Sequence, residues 1–131
     1  MKILLVDDDS DDQLLFQEAL YSINPDISIE SAVDGEDALT ILATTAQNPD
    51  VIFLDINMPR MNGRDCLKIL RNEMGLWHLP VFVMSTAISR EDEILFTALG
   101  AHCVVKPHEY EALVTKLEEC LEVRKNQLHK L

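Results

Sequence analysis

The sequence predicts an α/β fold: a doubly wound sheet of five parallel strands in the order 2-1-3-4-5. Three observations predict it. Short apolar runs alternate with stretches of helical period along all 131 residues. The central runs, Ile3-Leu4-Leu5-Val6 and Val51-Ile52-Phe53-Leu54, are continuously apolar, as strands covered on both faces of a parallel sheet must be. Short loops and right-handed crossovers then favour the 2-1-3-4-5 order, which makes the first and third strands neighbours at a switch point.

Each element has its own local signal. Residues 2–6 are the first strand. Ser10-Asp11-Asp12-Gln13 reads as a capping box, with two acids in the first turn of a helix carrying Leu14, Leu15, Phe16, Ala19 and Leu20. Residues 27–32 form a more polar strand, as expected at an edge. Asp34-Gly35-Glu36-Asp37 opens the second helix, through Ala38, Leu39, Ile41 and Leu42. After the turn Asn48-Pro49-Asp50 comes the third strand, 51–54. The third helix is expected from about Asn62 to Glu73 on Cys66, Leu67, Ile69 and Leu70. Pro80 precedes the fourth strand, 81–85. Ser89 caps the fourth helix, which carries Ile94, Leu95, Ala98 and Leu99 and stops at Gly100. Residues 103–105 are the fifth strand. The last helix starts near Glu109 and carries Tyr110, Leu113, Leu117, Cys120 and Leu121 before a polar tail. Residues 1–131 therefore read as one domain, with no repeat or linker.

Composition narrows the function. Eleven Lys and Arg against 23 Asp and Glu give a net charge of -12, a surface that repels phosphate backbones, so no direct nucleic-acid binding is expected. Cys66, Cys103 and Cys120 are odd in number, widely spaced and set in apolar patterns, which reads as core packing rather than a disulfide framework or a zinc site. No apolar run approaches the roughly 20 residues of a membrane span. Met1-Lys2 leads directly into the first strand without a signal peptide, so a cytoplasmic protein is expected.

The chemistry collects at strand ends. Asp55 directly follows the third strand, Asp7-Asp8-Asp9 the first, Ser85-Thr86 the end of the fourth, and Lys106-Pro107 the fifth. In open α/β sheets this carboxyl edge is where ligands bind. With strands one and three adjacent, Asp7, Asp8 and Asp55 meet in one crevice, and converging carboxylates call for a cation. A divalent metal beside a reactive aspartate follows, with Lys106 near enough to accept an anion. Asp11 and Asp12 read as helix dressing only. His78, His102 and His129 read as solvent residues, His108 as a surface loop residue, and Trp77 and Met74 as packing near a loop.

The ordered set Asp7-Asp8, Asp55, Thr86-Ala87 and Lys106-Pro107 resembles that of response regulator receiver domains of two-component signalling. Ala32-Val33-Asp34-Gly35-Glu36-Asp37-Ala38-Leu39 and Met58-Pro59-Arg60-Met61-Asn62-Gly63 add to the likeness, which extends over nearly the whole chain. The resemblance implies a flavodoxin-like receiver fold and a phosphorylated switch rather than an enzyme. It implies that Asp55 takes a phosphoryl group from a histidine kinase or histidine phosphotransfer protein. Asp8, Asp55 and the Asn57 carbonyl would bind Mg²⁺, with Asp7 acting through metal-bound water. The all-oxygen donor set would also admit Mn²⁺. Thr86, Ala87 and Lys106 would hold the phosphoryl oxygens, and a downstream protein would read the change. Cys103 stands at the switch position where the family often has an aromatic residue. His108 replaces an apolar or aromatic residue, and the segment from Gly100 to Lys106 is one residue short. With nothing after the fifth helix, a stand-alone receiver is expected.

Two rivals share parts of this pattern. A haloacid-dehalogenase-type aspartyl-phosphate phosphatase needs a second acid two residues after the nucleophile, where Asn57 stands, and an amide cannot do that work. A flavodoxin-like FMN carrier needs a hydroxyl- and glycine-rich phosphate loop after the first strand, where Asp7-Asp8-Asp9 would repel the phosphate.

Overall fold

The computed structural model describes residues 1–129, and the side chains of residues 1–127; the solvent reading of His129 and the last residues of the polar tail lie outside these. Strands β1 (Lys2–Val6), β2 (Ser28–Ala32), β3 (Val51–Asp55), β4 (Val81–Ser85) and β5 (His102–Val105) form one parallel sheet in the order β2-β1-β3-β4-β5. Helices α1 (Ser10–Ile23), α2 (Gly35–Thr44), α3 (Gly63–Lys68), α4 (Arg90–Ala98) and α5 (Tyr110–His129) cover both faces. The predicted class and strand order hold. No helix among the described residues is long and apolar enough to cross a membrane.

Because side chains alternate along a strand, each central strand supplies two cores. Leu4, Val6, Ile52, Leu54, Val81 and Val83 face α2, α3 and α4, where Ala38, Leu42, Leu67 and Phe96 meet them. Ile3, Leu5, Val51, Phe53, Phe82 and Met84 face α1 and α5, against Phe16, Leu20, Leu113 and Leu117. On this second face an aromatic series crosses the sheet. Phe16 meets Phe53 edge-on at 5.3 Å, Phe53 stacks on Phe82 at 5.4 Å, and Phe82 stacks on His102 at 5.1 Å. His102 is thus a strand residue, not a solvent one. Its register opposite Phe82 begins β5 one position earlier than its apolar run suggests.

Four further local readings need correction. Asp9, not Ser10, caps α1, its carboxylate accepting from the amides of Asp11 and Asp12. Gln13 instead donates to the carbonyls of Asp7 and Ala32 and so ties α1 to the ends of β1 and β2. Leu14, Leu15 and Ile94 are exposed. Cys66 and Cys120 are core residues, whereas Cys103 is only half-buried.

The third helix departs most. It is α-helical only to Lys68, and Ile69–Glu73 is a π-helical turn in which Met74 N bonds to the Ile69 carbonyl. Such a turn is often found at functional positions and changes which side chains face inward. Here Arg71 is 1% exposed. Its guanidinium donates to the carbonyls of Leu99 (2.8 Å), Leu79 (2.8 Å), Leu76 and Gly100 (3.2 Å), and lies 5.7 Å from the Trp77 ring. Leu99 and Gly100 end α4, so the charge sits where the helix dipole favours a cation. Gly100 has φ 70°, the left-handed cap glycine supplies without strain.

Replacing Arg71 by Met would leave four carbonyls without their donor. We expect Arg71→Met to cost about 3 kcal/mol or more. Arg71→Lys should fare little better, because an ammonium lacks the planar fork. Urea denaturation reads both; a loss below about 1 kcal/mol would show that the fork is dispensable.

Candidate functional site

Strand periodicity builds the site. Asp7 continues the Ile3, Leu5 row, Asp55 ends the Val51, Phe53 row, and Lys106 follows Val104, all on the α1–α5 face. The register Val6↔Leu54 sets Asp7 beside Asp55. Three carboxylates result: Asp7 buried, Asp55 half-buried and Asp8 exposed, each with an oxygen within 4.8 Å of the others.

The surrounding contacts hold these acids in place. Asp7 accepts from the Asp9 amide at 3.0 Å, and Asp55 from the Asn57 amide at 3.3 Å. Lys106 Nζ lies 3.2 Å from Asp7 and 3.3 Å from Asp12. Asp12 therefore belongs to the charge network and is not merely helix dressing. Burial works against the Lys106 ammonium, but Asp7, Asp12 and Asp55 outweigh it and hold its pKa above the usual lysine range. Burial, followed by the neighbouring charge of Asp7, pushes the Asp55 carboxyl up to about 6; Lys106 and the Asn57 amide only partly offset this.

The loop after β3 is pinned close to these acids. Gly63 packs so tightly on the end of β3 that a Cβ there would lie 2.6 Å from the Asp55 carbonyl. Its amide donates to the Ile56 carbonyl at 2.8 Å. Arg60, in the left-handed region at φ 63°, pairs with the buried Asp34 carboxylate that caps α2. Asn57 is exposed on this loop. Gln13, Asp12 and Arg60 escaped the sequence reading. The capping-box assignment had used up the first two, and no local pattern marks the long reach of Arg60.

Other expected members make no hydrogen bond to the acids among the described residues. Thr86 and Ala87 are exposed just beyond β4, and the Thr86 hydroxyl makes no hydrogen bond among the described residues. Ser85, one residue earlier, accepts from the Ala87 amide and donates to the Ala87 carbonyl. Cys103 packs with the α2–α4 core, on the face of the sheet away from the acids. His108 is exposed, as expected.

The donor set suits a hard divalent cation: three carboxylates, with no thiolate or imidazole among the clustered ligands. The half-buried Asp55 carboxylate, next to a lysine, can act as a nucleophile toward an electrophile with anionic oxygens.

Comparison with known proteins agrees with this geometry. The family model described as response regulator receiver domain matches residues 3–118. The chemotaxis protein CheY of Pseudomonas aeruginosa is 37% identical over 124 residues, spanning 93% of this chain and 97% of that protein. The phosphorylated cyanobacterial phytochrome response regulator RcpA superposes with a TM-score of 0.81 at 31% identity, covering 90% of this chain and 89% of RcpA. The Mn²⁺-bound form of the response regulator Rcp1 gives 0.79 at 28% identity, covering 90% and 89%.

The raised Asp55 pKa has a signed consequence for stability. A carboxyl whose pKa rises from 3.8 to about 6 on folding favours the folded state while protonated. That contribution is fully present below the unfolded value and is lost as pH rises through the folded one. Without metal, Asp55→Asn should match wild type near pH 4 and exceed it near pH 7. Allowing for the solvent-exposed part of the group, the gain should be on the order of 1–2 kcal/mol. Thermal melts in EDTA across this range test it; a variant no more stable than wild type at pH 7 would mean that the acids are not in repulsion.

Proposed function

The chain belongs to the response regulator receiver domain family, and on that premise we propose that it is a phosphorylation-operated switch with Asp55 as its phosphoacceptor. The observation that carries this reading is the half-buried Asp55 carboxylate at the end of β3, sharing one crevice with Asp7, Asp8 and Lys106.

The chemistry is substitution at phosphorus. An Asp55 oxygen forms a bond to phosphorus as the bond to the donor's leaving group breaks, and that bond's electron pair departs with the leaving group. Such a transfer depends on placement and charge neutralisation more than on acid–base work. Asp8, Asp55 and the Asn57 carbonyl would hold Mg²⁺ directly, with Asp7 acting through a bound water. When bound, the ion offsets the charge of the three carboxylates and of the arriving phosphoryl oxygens. Mn²⁺ should substitute, a reading supported by the Mn²⁺-bound form of the similar Rcp1.

The chain's own residues do the rest. Lys106, already on Asp7 and Asp12, shifts toward a phosphoryl oxygen as a compact point charge. Thr86 and the Ala87 amide turn inward to donate to the other oxygens. Asn57 stands where a phosphatase would carry its general acid/base, so the acyl phosphate persists as a signal instead of feeding turnover. A histidine kinase or histidine phosphotransfer protein in the cytoplasm supplies the phosphoryl group, and a separate protein reads the altered β4–α4 surface. We read the chain as a single receiver domain. The half-buried, small Cys103 makes the β4–α4 loop, not β5, the main carrier of the change.

Acetyl phosphate with Mg²⁺ should label wild type, as read by intact-mass spectrometry, and EDTA should prevent it. Asp55→Asn should abolish labelling, while Asp11→Asn should retain it. Lys106→Met should slow it about 100-fold, the scale expected for losing one charge-stabilising donor. Equal labelling of wild type and Asp55→Asn would remove Asp55 from its role.

A further inference from the structure

Helix α4 is held very differently at its two ends. At the C-terminal end, Phe96 and Leu99 are buried, and Arg71 bonds to the carbonyls of Leu99 and Gly100. The first turn has no buried apolar side chain: Arg90, Glu91, Glu93 and Ile94 are exposed. Its one side-chain tie to another element among the described residues is the pair between Asp92 and Arg64, the second residue of α3. Arg64 Nε donates to Asp92 Oδ1 at 2.7 Å and Arg64 Nη2 to Asp92 Oδ2 at 2.8 Å, a two-pronged fit. The Asp92 carboxylate is 15% exposed and the Arg64 side chain 35%, so solvent screens the pair only in part.

This pair bears on the loop that carries Thr86. At the strand end, Ser85 Oγ closes a short turn onto Ala87. At the helix end, Ser89 caps α4 by accepting from the Asp92 amide, and Asp92 itself is anchored to Arg64. The segment between also carries Ile88, half-buried against the α2–α4 core. With the C-terminal end of α4 secured by Arg71, the Arg64–Asp92 pair is the polar tie that restrains the loop at its helix end.

We propose that the Arg64–Asp92 pair is a latch that holds the β4–α4 loop, and Thr86 with it, away from the Asp55 crevice, so that opening the latch and capturing a phosphoryl group are energetically coupled. The inference rests on the reading of Asp55 as phosphoacceptor and adds two positioning residues to it. Neither touches the phosphoryl group. Both set how much of the population has Thr86 free to turn inward, and a ligand that requires the turned-in form is weakened by the fraction still latched.

The test uses beryllofluoride with excess Mg²⁺ as a phosphoryl probe, its binding followed by fluorine NMR. Arg64→Met and Asp92→Asn should each tighten apparent binding about fivefold or more, within the usual range of such couplings. The double variant should gain no more than either single one, because both remove the same interaction. Glu91→Gln takes a charge from the same turn without touching the latch and should bind like wild type. In a Thr86→Ala background, Arg64→Met should give no gain. Hydrogen exchange of the unliganded Arg64→Met protein should speed up at residues 87–93 and stay unchanged at 96–99. Failure of wild type to bind the probe would overturn the Asp55 reading itself. Binding by wild type with Arg64→Met within twofold of it, or a gain that survives Thr86→Ala, would overturn the latch alone.

Discussion

Three carboxylates lie within 4.8 Å of one another at the carboxyl edge of the sheet, and much of what surrounds them answers that repulsion. Lys106 is drawn between Asp7 and Asp12. The Asn57 and Asp9 amides turn toward Asp55 and Asp7. Asp55 retains a proton well above the usual carboxylate range. The crevice is thus held short of electrostatic balance, and a group that brings positive charge into it gains more there than at an ordinary surface site. Such a site costs the apo protein stability in exchange for responsiveness.

The sheet makes that arrangement reproducible. A parallel ladder ties the height of each strand to that of its neighbour, and the two-residue repeat decides the face on which each side chain stands. The rows that stack Phe53, Phe82 and His102 across the sheet are the same rows that end near Asp55, Thr86 and Lys106. A slip of one residue in β3 or β5 would move a charge to the wrong face and break the aromatic series together. Packing and charge therefore select the same register.

Much of this was legible in the sequence. Continuous apolar runs with acids, hydroxyls and a lysine at their ends fix strand class, order and the crevice, because those signals are local and the order follows from chain-connection rules. Boundaries and long-range polar partners were not. Asp9 took the cap that Ser10 was expected to hold because its carboxylate reaches two amides at once. The π-helical turn at Ile69–Glu73 leaves the apolar pattern almost unchanged, so nothing in periodicity separates it from a regular helix. Arg71 carries no sequence signal for its burial, because its partners are backbone carbonyls, which leave no compositional trace. The Arg64–Asp92 pair joins residues 28 positions apart, beyond any single-element pattern.

The position of Trp77, the chain's one tryptophan, has an optical consequence. It sits in the loop before β4, over the Arg71 guanidinium and close to Gly100, at the opposite edge of the sheet from the acids. Its indole is half in water and half against a cation. Its emission therefore gauges the C-terminal end of α4 and the π-helical turn beneath it, not the carboxylate crevice. A metal titration followed by intrinsic fluorescence will register only what is relayed through α4 or along the third helix, and a flat trace is no evidence that the crevice is empty.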